Sequence, residues 1–186
     1  MHDPGIGGGR IVGEGCHFID LLRHLSGHRI VGLQATPMGG DTAESAPGDT
    51  ISFSLQFADG SMGTIHYLAN GHKAFPKERL EVFCGGRVIQ LDNFRRLRAL
   101  GCKGFQKMNL WRQDKGHAEG VAAFLRAIRH GEPSPIPLAE IVEVTRVSFD
   151  VVTAARSGQA VRYDVAPSCS GSGQPVAEPS LSVRCA

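Results

Sequence analysis

A chain of 186 residues that is 41% hydrophobic and 20% charged, with a net charge of +2, has the make-up of an ordinary globular domain able to bury a core without metal or disulfide staples. Twenty basic against eighteen acidic residues create no field for polyphosphate or an acidic membrane, so neither nucleic acid nor a membrane surface is an expected partner. No run approaches the roughly 18 to 20 apolar residues of a bilayer span, and Met1-His2-Asp3-Pro4 lacks the basic and apolar regions of a secretion signal, so the protein is expected in the cytoplasm.

The first element predicted is an amphipathic helix from about Gly13 to Ser26, where Cys16, Ile19 and Leu22 recur with Phe18, Leu21 and Leu25 at three- and four-residue steps. Glu14 in its first turn and Arg23 and His24 in its last complement the helix dipole, and Gly27 is a left-handed stop. Ahead of it, Gly5-Ile6-Gly7-Gly8-Gly9-Arg10 lets backbone approach a ligand or another protein surface.

Strands are predicted at 29–36 and 49–57, the latter with Ile51, Phe53, Leu55 and Phe57 alternating against Ser52, Ser54 and Gln56. Ala58-Asp59-Gly60 reverses the chain into a returning strand over 61–69. A second hairpin joins 79–84 to 87–91 through Gly85 and Gly86, and 94–100 and 107–111 add further strand segments. The period then lengthens: Val121, Phe124, Leu125 and Ile128 share one face of a helix over 115–130, closed by Gly131. A last helix spans 138–157 after Pro137, with Ile141, Val144, Ser148, Val151 and Ala155 as its buried stripe and Gly158 as its stop. Helix, strand meander and two helices predict an α+β fold, a mostly antiparallel open-faced sheet with helices on one face. Ten of the twenty residues of 167–186 are Ser, Gly or Pro, which predicts a disordered tail after a single domain of 1–166.

Two negatives narrow the chemistry. Gly5-x-Gly7-x-x-Arg10 lacks the third glycine, the preceding strand and the later acidic residue of a dinucleotide loop, so this chain is expected to bind no cofactor by itself. Cys16, Cys84, Cys102, Cys169 and Cys185 contain no Cys-x-x-Cys pair, and His66, His72 and His117 do not share one element at ligand spacing, so free thiols and no metal are expected.

The run Gly7-Gly8-Gly9-Arg10-Ile11-Val12-Gly13-Glu14-Gly15-Cys16-His17-Phe18-Ile19-Asp20-Leu21-Leu22 resembles the start of the C-terminal domain of the glucose-fructose oxidoreductase, inositol dehydrogenase and MocA (Gfo/Idh/MocA) family. Pro76-Lys77-Glu78-Arg79-Leu80-Glu81-Val82 with Gly85-Gly86, and Asp59-Gly60-Ser61-Met62-Gly63-Thr64, extend the resemblance over about residues 1 to 165. It implies the C-terminal portion of an NAD(P)-dependent sugar or polyol dehydrogenase whose dinucleotide-binding domain and Glu-Lys-Pro motif are absent from this sequence. The isolated chain is then expected to be inactive, with NAD or NADP held only together with that missing domain.

By the same resemblance His17 matches the family histidine expected to take a proton from the substrate hydroxyl, a role that imidazole suits near neutral pH. The family's aspartate falls on Gly13, and Glu14, one position on, is the candidate replacement, since residues three and four before His17 lie within about 60° and 40° of it around a helix. Asp20 is expected to hold structure rather than do chemistry. Candidate substrate contacts are Arg10 at the helix entrance, His72 and Lys73 on the loop after a strand, and Trp111, which either stacks on a sugar face or packs in a core or interface. The substrate is expected to be a sugar or nucleotide-linked sugar. The open sheet face, with Ser52, Ser54 and Gln56 read beside Ile65 and Tyr67, is expected to pair in a homo-oligomer. The alternatives are a noncatalytic binding or oligomerisation module, favoured by Gly13 at the aspartate position, and a nonfunctional fragment.

Overall fold

Leu33, Ala35, Ile51, Phe53, Leu55, Phe57 and Ile65 are buried at alternate positions along three neighbouring strands, and this one apolar face organises the first part of the molecule. The computed structural model describes residues 9–38 and 50–164. The candidate tail 167–186, Cys169, Cys185 and the glycines before Gly9 lie outside those residues. By contact the chain divides into two compact units, one drawn from the stretches up to Gly71 and from Pro133 onward, the other holding His72–Glu132.

In the first unit a wide π turn, Ile11–Gly15, leads into helix α1, Cys16–Ser26. Strands β1 (Ile30–Pro37), β2 (Thr50–Phe57) and β3 (Met62–Leu68) form an antiparallel meander. In the second unit β4 (Arg79–Cys84), β5 (Arg87–Asp92), β6 (Arg96–Leu100) and β7 (Lys107–Asn109) form a second antiparallel sheet in sequence order, followed by helix α2, His117–His130. Helix α3 (Leu138–Ser157) and the short β8 (Val161–Arg162) return to the first unit, where β8 pairs with β1 and completes the order β3-β2-β1-β8. The architecture is α+β with antiparallel sheets; the meander expected as one sheet falls into two of four strands each. The break lies at 69–78, which carries no strand and separates β3 from β4.

The π turn with α1 and α3 cover one face of the first sheet. Ile11 and Ile19 join Phe53, Leu55, Val147 and Val151 in a core from which solvent is excluded, and each such side chain contributes about 1.5–3 kcal/mol. The stripe of α3 is Val144, Val147, Ser148, Val151 and Ala154. Ile141, expected inside, is 47% exposed and Ala155 only partly buried. With so many Val and Ile residues around α3, several helical stripes are similarly apolar, and the sheet, not the sequence period, selects the one that is buried.

Local chemistry fixes the turns. The Asp59 carboxylate accepts from the Ser61 backbone N–H at 3.0 Å and the Ser61 hydroxyl at 2.7 Å, which closes the β2–β3 reversal and holds that carboxyl below its usual range. Gly85 and Gly86 both take positive φ (54° and 76°) in the two-residue turn of the β4–β5 hairpin. Asn93 and Phe94 also take positive φ, 51° and 48°, in the turn ahead of β6, so the segment expected to begin at Phe94 becomes strand only at Arg96. No described helix is long and apolar enough to cross a membrane.

Candidate functional site

The start of α1 is irregular where the candidate residues cluster. The Cys16 backbone N–H bonds the Ile11 carbonyl five residues back, the wide hydrogen-bond spacing of a π turn, a distortion that recurs at functional sites. Two glycines make room for neighbouring side chains, one within the turn and one between α1 and the sheet. A Cβ on Gly15 would lie 3.3 Å from the Ile11 side chain, and one on Gly63 of β3 would lie 2.6 Å from Cδ1 of Leu22. The helix therefore rests directly on β3.

That close approach brings Tyr67 of β3 to the π turn. Its hydroxyl donates to Oε2 of Glu14 at 2.8 Å, and its ring meets Phe18 edge-on with centroids 6.4 Å apart and planes at 63°. Burial, then the hydrogen bond and charge of Glu14, push the Tyr67 phenol up to about 12, while the Arg10 guanidinium acts on the same hydroxyl in the opposite direction. Arg10, Glu14 and Tyr67 thus form one polar cluster. His17 lies exposed in the first turn of α1, one helical turn beyond Glu14. Among the described residues no hydrogen bond joins Glu14 to His17; the carboxylate is engaged by Tyr67. Burial raises the Cys16 thiol beside it.

Gly13, which the resemblance set against the family's aspartate, is exposed, and a Cβ there would meet nothing within 4 Å. The remaining candidates belong to the second unit. His72 accepts from the Ala74 backbone N–H at 3.2 Å through Nδ1 and so caps its own loop, and Lys73 is exposed beside it. Trp111 is 88% exposed and belongs to no core. Among the described residues no three His, Cys, Asp or Glu side chains are grouped as metal ligands.

Tyr67 and Phe18 join the cluster although neither was expected as a site residue. Tyr67 shares parity with Ile65, and the register pairs Ile65 with Phe53 and Tyr67 with Ile51, so both face the helices. Ile65 and Tyr67, expected beside Ser52 and Ser54, face the helices instead, and Thr64 and His66 are the residues on that open face, where Ser52 Oγ lies 2.9 Å from His66 Nδ1 and Ser54 Oγ 3.2 Å from Thr64 Oγ1.

Comparison with known proteins agrees with this architecture. Residues 1–89 match the GFO/IDH/MocA C-terminal domain. Among solved structures, the chain is similar to levoglucosan dehydrogenase in complex with NADH (TM-score 0.64, 18% identity, covering 84% of this chain and 50% of that one). It is also similar to the aldose-aldose oxidoreductase of Caulobacter crescentus (TM-score 0.63, 20% identity, 80% and 46% covered). A third is the UDP-N-acetylglucosamine 3-dehydrogenase of Acidithiobacillus ferrooxidans (TM-score 0.62, 17% identity, 76% and 46% covered). At these identities the likeness is one of fold, and the chain spans about half the length of these proteins. No curated protein matches it in sequence.

Proposed function

Residues 1–89 of this chain belong to the GFO/IDH/MocA C-terminal-domain family, and from that premise we propose that the chain is the substrate-side portion of an NAD(P)-dependent sugar or polyol dehydrogenase. The observation that carries the reading is the meeting of Arg10, Glu14 and Tyr67 at the mouth of the helix that presents His17. A cationic guanidinium and a carboxylate suit a ligand rich in hydroxyl groups, and an exposed imidazole suits removal of a proton from one of them.

The described residues do not fit a dinucleotide. Every strand pairing among them is antiparallel, and no strand–turn–helix unit with a glycine fingerprint frames a pyrophosphate. We therefore assign NAD or NADP to polypeptide other than this chain and derive no step through it; alone, this chain would bind substrate without completing a reaction. The open face of the first sheet, with its row Ser52–His66, Ser54–Thr64 and Gln56–Arg162, is proposed as the contact with a second copy. A noncatalytic binding or oligomerisation module is the second reading, favoured by Gly13 where the family carries an aspartate.

Calorimetric titration of the 186-residue chain with myo-inositol, glucose and UDP-N-acetylglucosamine, and separately with NADH, tests the proposal. Weak binding of at least one polyol or nucleotide sugar, lost in His17→Ala, is expected, with no NADH binding at micromolar concentrations. Tight NADH binding, or no binding of any sugar, would overturn it.

A further inference from the structure

We infer that Tyr67 is a positioning residue, whose hydroxyl holds the Glu14 carboxylate at the helix mouth and links it to Arg10, so that side chains from two elements present one preset polar surface to the substrate. The inference rests on the dehydrogenase reading for what that surface binds, but the tether itself stands on geometry. Tyr67 is the penultimate residue of β3 and faces the helices opposite Ile51. Its ring is half-buried against Phe18, so only the hydroxyl reaches the edge, where it bonds Glu14 at 2.8 Å.

The physical gain is pre-organisation. A glutamate on a surface turn samples many rotamers, and a ligand that used it would have to freeze them on binding. Anchored to a phenol whose ring is locked by packing, the carboxylate is ordered beforehand. A phenol suits the task because it stays protonated, and so remains a donor, throughout the neutral range. The Arg10 guanidinium acts on the same hydroxyl, which then accepts on one side and donates on the other. Gly63, four residues before Tyr67 on β3, leaves room for the Leu22 side chain against the strand, since a Cβ there would fall 2.6 Å from its Cδ1.

The test has two arms. The first needs no ligand. In a Tyr163→Phe background, which leaves one tyrosine in the chain, the phenolate absorbance of Tyr67 is titrated with and without Glu14→Gln. A fall in the Tyr67 midpoint on removing the carboxylate charge is expected, and an unmoved midpoint would overturn the tether. The second arm measures binding of the sugar probes named above by wild type, Tyr67→Phe, Glu14→Gln and the double variant. Tyr67→Phe preserves the ring and its packing. Each single variant is expected to weaken binding about tenfold, and the double variant no further, because both remove the same ordered carboxylate. Full additivity of the two losses would overturn the positioning role. If wild type binds no probe, the dehydrogenase reading and the substrate half of this inference fall together, while the first arm still decides the tether.

Discussion

Arg23 and Glu143, 120 residues apart in sequence, are joined by a hydrogen bond of 3.1 Å from Nε to Oε2 that links α1 to α3. The same carboxylate accepts the Ile30 backbone N–H at 2.6 Å through Oε1, and Glu140 lies 3.7 Å from the guanidinium. Arg23 is buried, so its charge depends on these partners rather than on water. Two helices and the first residue of β1 are thereby fixed together at the C-terminal end of α1.

Removing the shared carboxylate is expected to destabilise the fold more than neutralising it. Glu143→Ala leaves the buried guanidinium with Glu140 as its one remaining ion-pair partner among those described and orphans the Ile30 N–H, and a loss on the order of 2–4 kcal/mol is predicted. Glu143→Gln keeps an oxygen that can accept from Ile30 and fills the same space, so its loss should be clearly smaller. Urea unfolding midpoints of the two variants check the order.

Packing of α1 on β3 through Gly63 gives a second prediction. Gly63→Val places a branched side chain where even a Cβ would fall 2.6 Å from Leu22, and overpacking of about 1–3 kcal/mol is expected. Trimming the neighbour should relieve it: the loss in Gly63→Val combined with Leu22→Ala is predicted to be less than the sum of the two single losses, as read from denaturation curves.

Gly13 has the opposite character. It lies in a helical turn without positive φ, and a Cβ there meets open space. Gly13→Ala should therefore raise stability by about 0.5–1 kcal/mol, because it restricts the unfolded chain without any clash. Thermal unfolding of the variant measures it. Gly13→Asp should fold equally well, which would show that the position makes no steric demand for glycine.

Both tyrosines of the chain are held protonated, Tyr67 by burial and Glu14, and Tyr163 by burial and its 2.8 Å hydrogen bond to Asp150. Below the ordinary phenol range near pH 10 the folded and unfolded chains bind the same proton, and no pH dependence arises from these groups. As pH rises beyond that range the unfolded chain releases its protons first. The stabilisation is then lost progressively, for Tyr67 through about pH 12. Ultraviolet titration should place both phenolate transitions above those of the chain in denaturant, and the unfolding midpoint should fall over the same alkaline window.

Much of the architecture was legible because its signals are local. The α1 stop at Gly27, the reversal at Asp59-Gly60, the Gly85-Gly86 hairpin and the bounds of α3 at Leu138 and Ser157 follow from turn chemistry and period, and each is observed. What escaped depends on long-range register. A two-residue strand such as Val161–Arg162 carries no periodicity of its own and exists because β1 offers an edge. The inward placing of Tyr67 follows from its pairing with Ile51, which sequence alternation leaves undetermined by one step. Of the proposed cluster, Arg10 was named from the glycine-led helix entrance and Glu14 from the family resemblance, whereas Tyr67, which meets both, was not named as a site residue.

The central claim is that residues at the mouth of α1 form the substrate wall of a dehydrogenase pocket. Nuclear magnetic resonance mapping of the 186-residue chain during titration with a polyol or nucleotide sugar tests it most directly. The predicted result is a perturbation centred on Arg10, Glu14, His17 and Tyr67, with NADH leaving those resonances in place. Perturbations centred instead on the Ser52–His66 face of the first sheet would contradict the claim.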